Sequence, residues 1–355
     1  MYIAKKISSF TPIRIIGVHI ILKKLMYNNY VRRYIIIRIL QLGPLLIGIS
    51  LVSFFIMHLA PGDPIALFVD PNIEPSELVR IRANFGLDQP LIVQYFKWLF
   101  NAVKLDFGQS YLTGQPVITE IWERMPNTLL LMVPSLFLML IIAIPVGVVS
   151  AVKKNSWFDN LFTIISFSGM AIPSFWLGLM FMLIFSVWLK WFPSVGMVSF
   201  GMQETGYGMW LLDLIRHMIL PVMTMTILSL SGITRYQRAA MLEVLNQDFI
   251  KVARAKGLPE RVVIFKHALR NALIPTITIL GLSLPGLFGG AFIIETIFAW
   301  PGMGRLGVQA IFARNYPVIM GIVMLSAFLI VMGNLLADIG YALVDPRIRY
   351  TGNDK

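Results

Sequence analysis

Cysteine is missing from this 355-residue sequence, and charged residues are scarce. Without cysteine the chain has no disulfide, no iron–sulfur cluster and no thiolate zinc site. Only 14% of the residues are charged, whereas 57% are hydrophobic. A soluble protein of this size needs a much more charged surface. The composition therefore excludes an ordinary soluble protein and favours a membrane protein.

Patterns typical of catalysis and nucleotide binding are also lacking. No GxxxxGK run followed by serine or threonine is present, so the chain has no loop to cradle ATP phosphates. No HExxH or GxSxG motif occurs, and the four histidines are scattered: His19, His58, His217 and His267. We therefore predict that the chain is not an enzyme and binds neither a metal nor a cofactor of its own.

Long apolar runs are what the sequence does have. A helix of about twenty apolar residues crosses the roughly 30 Å hydrocarbon core of a bilayer. The runs are continuous, and barrel strands would instead alternate every second residue. The sequence thus predicts an all-α integral membrane protein with six transmembrane helices. Their predicted bounds are Tyr34–Leu59, Thr128–Val152, Leu161–Leu189, His217–Ile233, Thr276–Trp300 and Val318–Leu343.

The basic residues predict the orientation of these spans. The net charge is +12, and 21 of the 30 lysines and arginines fall in segments that share one side if the N-terminus is cytoplasmic. Positive residues concentrate on the cytoplasmic side of membrane proteins, where they meet anionic headgroups. We therefore expect both termini in the cytoplasm and membrane lipid as a partner, with no nucleic acid.

These predictions divide the chain into five parts. They are a basic cytoplasmic segment (1–33), the first transmembrane helix (34–60), an external helical loop (61–127), a five-helix core (128–343) that contains a cytoplasmic loop (235–275), and a cytoplasmic tail (344–355). Two interpretations of the first thirty residues stay open. They form a basic amphipathic helix on the inner surface, or Met26 is the true start of the protein.

The external loop is predicted to contain short helices. Pro75 and Ser76 open one helical run, and a second run follows Pro90 after a break at Phe85-Gly86-Leu87. Two interpretations stay open: this cap docks a partner, or it covers the ends of the spans.

The cytoplasmic loop holds a basic, helix-forming segment, Lys251–Pro275, with a single acidic residue. Asp248 is a candidate N-cap, and Gly257 is a candidate C′ residue that ends the first helix. Pro259 fits the first position of a second helix, and Pro275 is expected to close it. Two interpretations remain: a helix pair that lies on anionic lipid, or a stiff corner that contacts a cytoplasmic partner.

This segment resembles the coupling loop of ABC importer permeases, specifically those of the dipeptide/oligopeptide transport family. The resemblance extends from about Tyr34 to Tyr350. The matching stretches are HLAPGDP (58–64), FGLDQP (85–90), LDFGQSY (105–111), RMPNTLLL (124–131), AIPSFWLGL (171–179), ARAKGL (253–258), the RHALRNALIP-like HALRNALIP (267–275), ETIFAWPGMGRL (295–306), NYPVIMG (315–321) and ADIGYALVDPRIRY (337–350).

The resemblance implies a type I importer permease fold in a bacterial or archaeal cytoplasmic membrane. It implies a second homologous permease subunit, two ABC ATPase subunits that bind ATP and Mg²⁺, and an extracytoplasmic solute-binding protein. It also implies that the coupling loop seats on an ATPase. The matching residues are Arg254, Ala255, Lys256, Gly257, Leu258 and Pro259. The substrate stays open among dipeptides, oligopeptides, nickel chelates, glutathione and oligosaccharides.

Several residues are candidates for the substrate pathway. An acidic residue in a membrane span is energetically costly and therefore suggests a function. Glu295 either lines the path or is an acid near the outer surface that pairs with Arg305. Small and bend-forming residues suit either a moving pore lining or tight static packing; they are Ser168, Pro173, Gly286 and Gly290, the last two at GxxxG spacing.

An ion-coupled secondary transporter is the alternative from another functional class. Such a protein is expected to show paired intramembrane acids or broken helices repeated in two halves, and the sequence shows neither clearly.

Overall fold

The computed structural model describes residues 29–64, 74–202, 206–283, 286–287 and 289–344. The predicted interfacial helix of the first thirty residues, the alternative start at Met26 and the tail beyond Val344 lie outside them, apart from 29 and 30. The described helices are α1 Asn29–Leu59, α2 Pro75–Asn84, α3 Leu91–Ala102, α4 Val117–Val152, α5 Trp157–Ala171, α6 Ser174–Phe181, α7 Tyr207–Leu245, α8 Asp248–Ala255, α9 Glu260–Val262, α10 Leu269–Ser283, α11 Phe292–Ile297, α12 Met303–Phe312 and α13 Tyr316–Val344.

The described residues are helical almost throughout, as predicted. Two π-helical segments extend this set: Met182–Trp188 continues α6, and Val263–Ala268 joins α9 to α10. By length and composition, five helices suffice to cross a membrane, or up to six if one bent pair counts as a span. The five are Leu40–Leu59, Val117–Val152, Tyr207–Leu245, Glu260–Gly281 and Tyr316–Leu335.

The predicted third span is bent rather than straight. The axes of α5 and the α6 segment differ by 104°. Pro173 is the N-cap of α6, and Ile172 before it is extended at φ −77°, ψ 123°. A proline disfavours helical geometry in the residue that precedes it, so the chain turns at this pair.

The second and fourth spans are longer than predicted because apolar stripes continue beyond the most apolar windows. Helix α4 begins at Val117, and Val117, Ile121 and Met125 recur at helical spacing in one buried cluster. Helix α7 continues beyond Ile233 with Gln237, Met241 and Val244 buried on one face. Arg235 and Arg238 lie in this extension, and their charges made it look like a loop in the sequence.

The predicted fifth span, Thr276–Trp300, is wrong in its bounds. The helix runs from Glu260 to Gly281, with Pro275 inside α10 rather than closing the preceding segment. Gly286 and Leu287, the next residues described after Ser283, have 3₁₀ geometry, and Gly290 has φ +80°. Glycine loses the most conformational freedom in a helix, so the glycine-rich stretch is where the helix ends despite its apolarity.

Helix α3 of the predicted external loop packs against the ends of two spans. Tyr95 of α3 is buried with Phe54 of α1 and Met320 of α13, and its hydroxyl lies 3.0 Å from Ser50 Oγ. A cavity of about 620 Å³ opens beside this cluster, lined by Trp98 and Tyr316 among others. Of the two interpretations of this loop, covering the span ends is therefore seen directly in the structure.

The two longest helices, α4 and α7, cross at very close range. A Cβ atom on Gly147 would lie 2.9 Å from both Gln237 Cβ and the carbonyl oxygen of Thr234. Such distances require a neighbouring atom to move, so glycine is what allows the backbones to approach. This crossing holds the ends of both helices beside α8.

Candidate functional site

The candidate site is a helical corner between α8 and α9. Helix α8 ends with a C′ glycine, Gly257, at φ +74°. The Gly257 amide donates to the Arg254 carbonyl at 2.9 Å, and the Leu258 amide donates to the Ala253 carbonyl at 3.4 Å. These two bonds form a Schellman motif, which satisfies the last carbonyls of a helix. The chain then restarts as a helix immediately after Pro259.

The predicted helix ends are displaced by one residue. Gln247 is the N-cap of α8 and Asp248 is its first residue, whereas Pro259 is the N-cap of α9. Neither cap makes a side-chain hydrogen bond. The predicted corner at Gly257-Leu258-Pro259 is present.

A second connection crosses the corner. The guanidinium of Arg254 donates two hydrogen bonds to the carboxylate of Glu260, with Nη2–Oε1 at 2.6 Å and Nε–Oε2 at 3.2 Å. The fork geometry of arginine matches a carboxylate in this way. The hydrogen bond to Glu260 raises the pKa of Arg254. The last turn of α8 is thus tied to the first turn of α9.

All six predicted coupling residues are exposed at the tip of this corner, from Arg254 to Pro259. Further cations lie on the surface beside them, namely Lys251, Arg261, Lys266 and Arg270. The tip is therefore compact, positively charged and free of contacts with the rest of the described chain on its outer side.

The opposite side of the corner is fixed to the helical core. Ile250 of α8 and Val263 are fully buried at 0% exposure, and both pack in one cluster with Val148 of α4 and Met241 of α7. Complete burial of two such side chains contributes roughly 1.5–3 kcal/mol each. The corner is thus held by α4 and α7 on its inner side and exposed on its outer side.

Glu295 lies away from the corner, in the short helix α11, and its carboxylate bonds to the segments before and after that helix. It is 1% exposed. Its Oε1 accepts hydrogen bonds from Thr128 Oγ1 at 3.0 Å and from the Ala291 amide at 3.2 Å, and its Oε2 accepts from the Arg305 amide at 3.0 Å. The carboxylate therefore organises the loop and presents no free face to a substrate in this conformation.

Glu295 does contact Arg305, as predicted, but through the backbone amide of Arg305 and not through its guanidinium. The Arg305 guanidinium donates to the Ala299 carbonyl at 2.5 Å, and it is the backbone amide that meets Glu295. Backbone donors of a loop leave no mark in the sequence, which is why this arrangement was missed.

Gly286 and Gly290 do not form a motif on one α-helix, because Gly286 has 3₁₀ geometry and Gly290 has φ +80°. A Cβ on Gly290 would lie 2.5 Å from the Gly304 amide nitrogen, whereas one on Gly286 would meet nothing within 4 Å. Of these two glycines, only Gly290 makes the close approach expected of small residues, and it does so against the start of α12.

Pro173 lies at the bend between α5 and α6, and Ser168 lies near it in α5. Both residues are exposed in the isolated chain. Gly169 beside them approaches Ser231 of α7 so closely that a Cβ would collide with its hydroxyl. The bend therefore packs against α7, and Ser168 is exposed on the side of the bend that does not contact α7.

Two buried polar pairs were missed by the sequence reasoning. Arg238 of α7 makes a bidentate ion pair with Asp159 of α5, at 2.6 and 2.7 Å. Thr276 of α10 donates to Gln237 Oε1 at 2.7 Å, with both side chains almost fully buried. Only Asp159 left a signal, since it follows the helix N-cap Ser156 at the start of an apolar run.

Known proteins similar to this chain agree with this architecture. The model of the family "Binding-protein-dependent transport system inner membrane component" matches residues 143–350, and its N-terminal companion matches residues 31–132. The oligopeptide transport system permease protein AppB of Bacillus subtilis is 49% identical over 318 residues, which cover 89% of this chain and 99% of AppB.

Two further similar proteins are a curated permease and a solved structure. The glutathione transport system permease protein GsiC of Escherichia coli is 38% identical over 317 residues, covering 89% of this chain and 99% of GsiC. A solved inward-facing structure of the MetNI methionine ABC transporter has a TM-score of 0.49 and 21% identity, covering 64% of this chain and 96% of that chain.

The two family models together cover nearly all of the described residues, and the predicted all-α permease fold is confirmed. The chain belongs to the binding-protein-dependent transport system inner membrane components, the multi-pass permease subunits of ABC importers.

Proposed function

We propose that this permease carries di- or oligopeptides across the cytoplasmic membrane, driven by ATP that partner subunits hydrolyse. The exposed corner from Arg254 to Pro259, fixed to α4 and α7 from behind, is the observation that carries the proposal. A rigid tip of this kind transmits the movement of a partner to the spans instead of absorbing it.

The assembly we propose has four kinds of component. A second, homologous permease completes the pore, two ATPase subunits bind ATP with Mg²⁺ on the cytoplasmic side, and an external binding protein delivers the substrate. The family description, which names binding-protein-dependent transport, supports the last of these. Both termini and the corner then face the cytoplasm, as the distribution of basic residues favours.

The peptide substrate is supported by the names of relatives. AppB at 49% identity is an oligopeptide permease, and GsiC at 38% is a glutathione permease. Both substrates contain peptide bonds, so a peptide is the class they share. The path itself is formed with the second subunit, and Ser168 and Pro173 on the open side of the bend are the candidates on this chain.

Crosslinking tests the coupling proposal directly, because the chain contains no cysteine. In the assembled complex, a Lys256→Cys variant treated with a short thiol–amine reagent is expected to crosslink to an ATPase subunit. The matched control is Lys104→Cys in the external loop, which should form no such product. An assembled, ATP-hydrolysing complex in which Lys256→Cys remains uncrosslinked would refute the placement of the tip.

Transport in proteoliposomes tests the energy source and the substrate class. Uptake of a labelled tripeptide is expected only with ATP inside the ATPase-facing compartment and with the binding protein on the other side. Uptake driven by an ion gradient without ATP would instead support a secondary transporter.

A further inference from the structure

A small polar cavity lies between α4, α5 and α7, away from the corner and from Glu295. Its volume is about 130 Å³. Four hydroxyl side chains line it, together with two arginines and two phenylalanines: Ser150, Thr163, Ser166, Thr234, Arg235, Arg238, Phe162 and Phe167. Nothing in the transport mechanism described above uses this cavity.

The hydroxyl of Ser150 points to a missing ligand. The side chain is 1% exposed, and its Oγ has no hydrogen-bond partner among the described residues. Other buried hydroxyls in these helices bond to a carbonyl of the preceding turn, as Thr224 and Thr226 do at 2.8 and 2.7 Å. A buried polar group without a partner costs about 1–3 kcal/mol. The cavity beside Ser150 is where a partner would fit.

The charge of the cavity is positive. Asp159 is occupied by its bidentate bond to Arg238, so that pair is neutral. Arg235 is exposed and makes no ion pair with any described carboxylate, and its guanidinium carbon lies 5.8 Å from the ring centre of Phe167. One uncompensated guanidinium beside several hydroxyls is the chemistry of an oxyanion site.

The cavity also lies at a particular depth. Ser150 stands two residues before the end of α4, between Val148 and Ala151, which pack beneath the coupling corner. Thr163 and Ser166 lie in the second and third turns of α5. With the orientation proposed above, on which this inference rests, that depth is the headgroup level of the cytoplasmic leaflet. Phe167, which lines the cavity, and Ile164, three residues before it on α5, are exposed apolar side chains.

We propose that this cavity binds the phosphate group of a phospholipid from the cytoplasmic leaflet. Arg235 supplies the charge-assisted hydrogen bond, and Ser150, Ser166 and Thr234 supply hydroxyl donors. The acyl chains lie along Ile164 and Phe167. Basic pockets between membrane helices on the cytoplasmic side bind anionic lipid headgroups in this manner.

Lipid titration with native mass spectrometry tests the proposal on the full chain, purified in mild detergent with its co-purifying subunits. The probes are dioleoylphosphatidylglycerol, dioleoylglycerol as the same lipid without phosphate, and inorganic phosphate as competitor. We expect saturable binding of one phosphatidylglycerol at this site and no comparable binding of dioleoylglycerol.

Substitutions place the bound lipid in the cavity. Arg235→Gln is expected to weaken phosphatidylglycerol binding about tenfold, since a hydrogen bond to a charged group is lost. Ser150→Ala should weaken it about threefold without lowering thermal stability, because it removes an unpaired hydroxyl. Lys154→Gln is the matched control, as it removes a positive charge at the same end of the molecule but outside the cavity, and should change nothing.

Three results would overturn the proposal. If Arg235→Gln retains phosphatidylglycerol as well as the native chain does, the guanidinium does not bind the phosphate. If the native chain retains dioleoylglycerol as well as phosphatidylglycerol, the site is only an apolar groove. Displacement of the lipid by millimolar inorganic phosphate assigns the site to a soluble anion. None of these results depends on the ATPase crosslink, so failure here leaves the proposed transport function intact, and the reverse also holds.

Discussion

Arg254 and Glu260 tie the two helices of the α8–α9 corner together across Gly257, with Nη2 and Oε1 2.6 Å apart. Both side chains are about half exposed, at 44% and 52%. An exposed ion pair stabilises a protein by only about 0.2–1 kcal/mol. The pair therefore contributes little to folding, and its effect is local, in the relative orientation of α8 and α9.

Glu260→Gln is expected to leave folding and membrane insertion unchanged and to lower ATP-driven peptide uptake by roughly two- to fivefold. The charge-swapped double variant, Arg254→Glu with Glu260→Arg, should transport faster than Arg254→Glu alone because it restores the pair. Initial uptake rates in proteoliposomes measure both. A Glu260→Gln rate equal to that of the native protein would show that the corner holds its angle without this pair.

Gly257 offers a sharper test of coupling. Its φ of +74° is a conformation in which other residues pay about 1–2 kcal/mol, although nothing lies within 4 Å of a Cβ there. Gly257→Asp is expected to abolish uptake while the amount inserted in the membrane stays normal. Gly257→Asn should retain most of the activity, because asparagine tolerates this conformation as aspartate does but adds no negative charge to the basic tip. Normal uptake by the aspartate variant would refute the coupling role.

Glu295 is expected to support stability and not substrate affinity. In Glu295→Gln an NH2 group replaces one of the two acceptor oxygens. One of the three buried donors, from Thr128, Ala291 or Arg305, therefore loses its acceptor. We expect a loss of about 1–3 kcal/mol, seen as a lower midpoint of thermal unfolding, with an unchanged KM for peptide. Glu123→Gln, on an exposed position of α4, is the control. A raised KM at unchanged stability would restore the pathway interpretation.

The crossing of α4 and α7 predicts opposite effects for two helical glycines. Gly147→Ala places a methyl group 2.9 Å from Gln237 Cβ and is expected to destabilise the protein by about 1–3 kcal/mol. Gly48→Ala in α1 meets nothing within 4 Å in the isolated chain and should be neutral or stabilising by up to about 1 kcal/mol, because alanine favours helices. Thermal unfolding of both variants in detergent measures the difference. Equal midpoints would contradict the tight crossing.

The features that the sequence predicted are those with local causes. Continuous apolar runs predicted the spans, and Gly257 followed by Pro259 predicted a corner because each residue restricts its own backbone. The resemblance added the residues at the tip, which no local rule identifies as a contact for an ATPase.

The features that the sequence did not predict depend on distant contacts. The helix through Pro275 continues because Ala268 and Ala272 pack with Met241, and the basic residues beside them lie on its outer face. The environment of Glu295 is built from the Thr128 hydroxyl of α4 and the backbone amides of Ala291 and Arg305, which the fold brings together. A long-range hydrogen bond such as that from the Thr276 hydroxyl to Gln237 Oε1 likewise has no local signature.

One consequence follows from the helix that runs unbroken from Glu260 to Gly281. Its 22 residues extend about 33 Å at 1.5 Å per residue, comparable with the hydrocarbon thickness of a bilayer. A tilt applied at the Glu260 end is therefore carried to Gly281 without crossing a single loop. The wide π-helical turn at Val263–Ala268 lies near the start of this rod, so a twist imposed from below meets this change of hydrogen-bond register first.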